Sequence, residues 1–189
     1  MQGPVFEAMT GRRSAKAHAL EGPPPDRATV ERIVLAAVAA PDHGLLVPFR
    51  VVEIPGDRRE ALADAFERAA FDQNPDADAE TIAKARDKAL RGPLLLALIA
   101  RIADRHPKIP ATDQWLTVGA AMQNMVLAAE ESGLGVALRS GRALESAALR
   151  AAFALAEGEH LVTFLAIGRS EARLPDRRKP AIEAILARF

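Results

Sequence analysis

The chain has 189 residues, 49% of them hydrophobic, which suits a single globular domain over residues 1–189 with a sizeable core. Its 25 basic residues balance 25 acidic ones, so it lacks the net field that draws polyphosphates to a surface, and nucleic acid is not an expected partner. Cysteine is absent, which excludes disulfides, thiolate catalysis, iron–sulfur ligation and cysteine zinc sites, and leaves any redox chemistry to a bound cofactor.

Residues 1–14 carry charges and no apolar core of signal-peptide length, and a short helical segment there runs into Arg12. Gly22-Pro23-Pro24-Pro25 is a rigid loop, after which Asp26 stands as the N-cap of a helix carrying Val30, Ile33, Val34, Ala37 and Val38 and stopping at Pro41. Phe49–Ile54 is a short strand closed by Pro55-Gly56. Half-exposed helices come next, from Asp57 to Phe71 and from about Asp76 to Arg91. Pro93 opens the run Leu94–Ile99, whose lack of polar alternation marks a strand buried on both faces and central in its sheet. Extended to Ala100 this is the longest apolar run, too short to span a bilayer, so no membrane partner and a cytoplasmic location are expected.

From Thr112 to Ser132 the pattern is helical, and Trp115, Leu116, Val118, Ala120, Met122, Met125, Val126 and Leu127 leave it hardly any polar face. Such a helix is covered all round, either by its own chain or, because a chain this short has few layers to offer, partly by a second subunit; we infer the second. Val136–Leu138 is a brief strand, Ser146–Phe153 a short helix, Leu161–Ile167 a last strand ending at Gly168, and the tail from Pro175 is basic and then mildly helical. The elements alternate without a steady βαβ beat, which predicts an α+β layer.

Several motifs are missing. Gly133-Leu134-Gly135 lacks a third glycine and precedes a strand, so no dinucleotide fingerprint is present. There is no phosphate-binding GxxxxGK[ST] loop and no nucleophile elbow, and the four histidines, His18, His43, His106 and His160, show no metal spacing. What is present is quieter. Arg12-Arg13-Ser14 offers two guanidinium forks and a hydroxyl within one turn, a set that suits a phosphate monoester as readily as it suits a solvated helix end. The shaped loop Ala40-Pro41-Asp42-His43-Gly44 places His43 to donate to a cofactor or to nearby backbone. Leu138-Arg139-Ser140-Gly141 is a strand end and turn where glycine permits close approach of a flat ligand, or simply a turn. Arg169, Arg173, Arg177, Arg178 and Lys179 come after the last strand, as a solvated tail or as the source of one more phosphate ligand.

In this order, and over nearly the whole chain, these pieces resemble the short bacterial FMN-dependent NAD(P)H nitroreductases. The resemblance implies an α+β fold with a central, mostly antiparallel sheet flanked by helices, an intertwined homodimer, and FMN at the subunit interface. Carried over, Arg12, Arg13 and Ser14 hold the flavin phosphate and ribityl chain, and His43 contacts FMN from its loop. Leu138, Arg139 and Ser140 pass alongside the isoalloxazine ring, and Arg173, or failing it Arg178, completes the phosphate cage. The segment Pro24, Pro25, Asp26, Arg27, Ala28 and Thr29 faces the nicotinamide nucleotide. No protein residue is implied as catalytic and no metal is called for. The implied activity is ping-pong hydride transfer from NADH or NADPH through FMN N5 to a nitroaromatic, a quinone or another small electrophile. Arg13 is the group expected to steady negative charge on the reduced ring. The chain departs from the family pattern at Ala39, where a basic residue is frequent, at Val47 and Phe49, where glutamine and tryptophan are common, and at Leu138, which replaces a frequent tryptophan. These changes make the ring pocket more aliphatic, and they sustain an alternative in which the protein carries or senses flavin without turnover.

Overall fold

The computed structural model describes residues 3–172 and 180–189. In chain order they form α1 (Pro4–Gly11), α2 (Arg27–Val38), β1 (Phe49–Glu53), α3 (Arg59–Gln73), α4 (Ala79–Leu90), β2 (Leu94–Arg101), α5 (Ala111–Glu131), β3 (Gly135–Arg139), α6 (Ala147–Ala152) and β4 (Glu159–Gly168). The strands lie in the order β1-β2-β4-β3, and every neighbouring pair is antiparallel. The expected α+β architecture is therefore present, and its sheet is antiparallel throughout the described residues.

Element ends differ from expectation where capping decides them. Asp26 is the N-cap of α2, accepting from the Thr29 N–H at 2.8 Å, but the helix stops at Val38, ahead of Pro41. At α4 two aspartates compete, and Asp78 takes the cap by accepting from Thr81, so the helix starts at Ala79 rather than near Asp76. Gly56–Arg58 forms a tight 3₁₀ turn ahead of α3.

Because side chains alternate along a strand, the sheet feeds two cores. Leu95, Ala97 and Ile99 of β2 and Phe164 and Ala166 of β4 face α3, α4 and α6, where Phe66 packs on Phe164 with ring centroids 5.5 Å apart. Leu94, Leu96, Leu98 and Ala100, with Leu165 and Ile167, face Ile33 and Ala37 of α2 and Val118, Ala121 and Met125 of α5. β2 is thus buried on both faces and interior to the sheet, as its composition predicts.

The outer surfaces of the two helical layers differ. Across α3 and α4, Arg86 bonds Glu60, Asp64 and Glu67 at 2.6–2.9 Å. Beneath it, buried Arg59 donates to the carbonyls of Ile54 and Ala89 at 3.0 Å, and so caps the last turn of α4. The other layer is unfinished. On α5, Trp115 is 40% and Leu116 73% exposed, so the described residues do not wrap this helix completely. α1 buries nothing and exposes Val5, Phe6 and Met9, and α2 exposes Leu35 and Val38. The C-terminal residues Ile182, Ile185, Leu186 and Phe189 are exposed as well. No described helix is long and apolar enough to cross a membrane.

Candidate functional site

α1 ends at Gly11, and Arg12, its C-cap, turns the chain into an extended conformation (φ −50°, ψ 132°). Two bonds to distant parts of the chain hold the next residues: the Arg13 N–H donates to Glu130 Oε1 at 3.2 Å, and the Ala15 N–H to the Val136 carbonyl at 2.9 Å. An extended chain sends successive side chains to opposite sides. Ala15 is accordingly buried, Ser14 and Lys16 are exposed, and Arg12 Nη1 lies 3.1 Å from Ser14 Oγ. Arg12 and Ser14 thus form one cradle of a guanidinium fork and a hydroxyl. Arg13 does something else: its Nη1 donates to the carbonyls of Thr10, Gly11 and Arg12 at 3.2, 2.8 and 3.1 Å and closes the end of α1.

Beside this cradle runs a cleft of about 930 Å³ between α1, α2 and α5, lined by Val5, Arg12, Ala36, Ala39, Leu127 and Glu130 among others. Ser170, just beyond β4, has a buried hydroxyl with no hydrogen-bond partner among the described residues. Its Cβ is 3.3 Å from the place a Cβ would take at Gly135, a position that also meets Ala15 Cβ at 3.1 Å, so Ser170 lies on the inward side of the segment with Ala15. A guanidinium fork and an exposed hydroxyl side by side are donors suited to a phosphate monoester, and the residues present fit that group.

β3 starts at this cradle and carries the chain roughly 13 Å onward to Arg139. Leu138 is on the α2/α5 side and 39% exposed, whereas Arg139 points to the other side, 3.8 Å from Asp87 of α4. Burial, aided by the charge of Arg91 and opposed by Asp87, lowers the affinity of Arg139 for its proton. Ser140 is exposed, and Gly141 has φ +124° with open space where a side chain would stand.

The other expected residues lie elsewhere. His43 Nδ1 is 2.9 Å from Asp113 Oδ2 in the first turn of α5, a carboxylate partner and neither of the two foreseen. Its loop is strained, with Leu45 at φ 54° and Val47 at φ 46°, and Gly44, at φ +77°, packs against the tip of the Ile109 side chain. Asp113 and Glu130 are about 26 Å apart along α5, so His43 and Arg12 flank opposite ends of one helix. The segment Pro24–Thr29 is the far end of α2 from Ala39, about 18 Å away along its axis. There Asp26 serves as cap, and Arg27 pairs with Glu31 at 2.8 Å and Glu53 at 3.3 Å. Within one chain, then, Arg12, Ser14 and β3 come together, and His43 and the Pro24–Thr29 segment do not join them. Arg173 and Arg178 lie outside the described residues.

Sequence reasoning missed Lys16 and Glu130. Lys16 was legible, two positions past Ser14 in an extended segment; Glu130 left only the hint of an acid in the last turn of an apolar helix, where the dipole disfavours it.

Residues 9–169 match the model of the Nitroreductase family. The chain is 33% identical over 169 residues to YdjA of Escherichia coli (strain K12), which bears a provisional NAD(P)H nitroreductase name, covering 89% of this chain and 90% of that one. Among solved structures, a nitroreductase-like family protein from Bacillus cereus superposes with a TM-score of 0.83 at 21% identity, covering 100% of this chain and 97% of the other. The FMN and NADPH-dependent nitroreductase NfnB from Sphigopyxis sp. strain HMH superposes with a TM-score of 0.76 at 23% identity over 97% of each chain. Fold, the order of elements around the Arg12–Ser14 cradle and a sequence match over most of the length agree: the chain belongs to the nitroreductase family.

Proposed function

We propose that this protein is an FMN-dependent NAD(P)H oxidoreductase working as a homodimer. The observation that carries the reading is the cradle itself: the Arg12 guanidinium and the exposed Ser14 hydroxyl side by side, 3.1 Å apart. Arg12 and Ser14 hold the flavin phosphate, and the exposed end of β3, Leu138 to Ser140, lies along the ring. Bound FMN supplies the capacity to take a hydride from a reduced nicotinamide and hand it to a second molecule. The chain binds and orients these partners, and no residue of it need act as acid or nucleophile. Leu138, in place of a larger aromatic, leaves room on the open side for a small electrophile such as a nitroaromatic or a quinone.

Two features support a shared site. The exposed apolar residues of α1, α2, α5 and the C-terminal segment need cover. If two α5 helices pack antiparallel about a two-fold axis, the His43 end of one meets the Arg12 end of the other, which joins residues that a single chain keeps about 26 Å apart. Arg173 or Arg178 then completes the phosphate cage, and the Pro24–Thr29 segment faces the nicotinamide nucleotide from its own subunit.

The test is anaerobic mixing of the FMN-loaded protein with NADH and with NADPH. Loss of the flavin band near about 450 nm, followed by its return on adding a nitroaromatic or a quinone, is expected. A protein that stays yellow with both nucleotides overturns the reading.

A further inference from the structure

α5 ends against its own dipole. Its last turn holds Glu130 and Glu131 and no basic residue, an arrangement that the partially negative end of a helix disfavours. Glu131 is exposed and pairs with Arg32 on α2, an ordinary surface contact. Glu130 is different. It is half-buried, and burial pushes its carboxyl above the usual range, against the pull of the Arg13 N–H and of the Arg12 and Arg13 charges. An acid in such a place is retained at a cost, and what it does there is grip the Arg13 peptide across 117 residues of sequence.

That grip has a geometric consequence. Glu130 fixes residue 13 and Val136 fixes residue 15, the two positions whose N–H groups point into the protein body. The alternating pair, Arg12 and Ser14, is left to project together on the other side. The first of the two tethers is a single side chain, so it can be removed without disturbing the sheet.

We propose that Glu130 is a positioning residue of the flavin phosphate site: its carboxylate holds the Arg13 peptide so that Arg12 and Ser14 face the phosphate together, and its negative charge tempers the pull of the two arginines on a dianion. This rests on the flavin reading above. The two roles separate by substitution. Glu130→Gln keeps an oxygen acceptor for the Arg13 N–H and removes the charge; Glu130→Ala removes both.

The experiment is titration of FMN against flavin-free wild-type protein, Glu130→Gln, Glu130→Ala and Arg12→Ala, read by flavin fluorescence at low and high salt, with thermal melts of each flavin-free protein. Glu130→Gln is expected to bind FMN at least as tightly as wild type, with a gain of up to roughly tenfold at low salt that shrinks as salt screens the charge. Glu130→Ala should bind roughly tenfold more weakly than Glu130→Gln, the loss of one well-placed hydrogen bond, with a similar melt. Weaker binding by Glu130→Gln than by wild type overturns the proposal even where Glu130→Ala does not fold. So does equal binding by Glu130→Ala and Glu130→Gln while Arg12→Ala is impaired; that result leaves the flavin reading standing. Wild-type protein that binds no FMN overturns both.

Discussion

The two helical layers of this protein differ in composition, α1, α2 and α5 being more apolar than α3 and α4, and they end in different states. On the α3, α4 and α6 side, Phe66 and Leu149 are fully buried, and an Arg86 network lies over the outer surface. On the α1, α2 and α5 side the inner face is equally well packed, through Ile33, Ala121 and Met125, yet Val5, Phe6, Leu35 and Leu116 remain in solvent. The first layer leaves only Phe71 and Leu90 of its large apolar side chains exposed among the described residues. The other keeps apolar surface beside the Arg12–Ser14 cradle, which is where the proposed second subunit would serve both folding and function.

Core truncation should separate the layers most sharply. Phe66→Ala is expected to cost about 3–5 kcal/mol in denaturant unfolding, because the ring is buried against Phe164 and leaves a cavity. Leu116→Ala should change the stability of the dilute protein by under about 1 kcal/mol, since Leu116 is exposed within its own chain. Comparable losses from the two would erase the distinction.

Next in size is the ion cluster at the end of the sheet. Glu159 is bonded by Arg50 through two oxygens, at 2.7 and 2.8 Å, and by Arg101 at 3.1 Å, and chiefly the Arg50 bonds hold its carboxyl down to about 2. A depressed carboxyl stabilises the fold above its unfolded value near 4.5 and loses that contribution as pH falls toward about 2. Glu159→Gln should therefore cost about 2 kcal/mol at neutral pH, and the difference from wild type should narrow below pH of about 4. A pH-independent difference would show that the cost lies in packing and not in the ion pair.

On the open side, Leu116→Arg is expected to halve the mass found by sedimentation and to weaken FMN binding without unfolding the chain. An unchanged mass would place the subunit contact elsewhere. The smallest effect is assigned to the strained loop before β1: Val47 holds a branched side chain at φ 46°, so Val47→Gly should stabilise by up to about 1 kcal/mol in thermal unfolding. Destabilisation there would mean that the Val47 side chain is held by contacts worth more than the strain.

The features legible from the residues alone came from local chemistry. The run Leu94–Ile99 announces a strand covered on both faces and Asp26 announces a helix start, whereas Arg12-Arg13-Ser14, read as lying within one turn, is extended and brings Arg12 and Ser14 together by alternation. The rest depends on contacts distant in sequence. Nothing near Arg13 signals that its N–H is taken by Glu130 or its guanidinium by the end of α1, and nothing near His43 signals Asp113. Periodicity gives the length of α5 but not which loop packs at which of its ends, and so the separation of His43 from Arg12 within one chain could not be foreseen.

The central claim, that paired subunits hold a flavin phosphate with Arg12 and Ser14, is tested most directly by sedimentation of FMN-saturated protein followed at the flavin band. The account predicts that flavin moves with a species of twice the chain mass, two per pair, and that Arg12→Ala leaves the flavin behind while still sedimenting as a pair. Flavin moving with a single chain, or retained in full by Arg12→Ala, would contradict it.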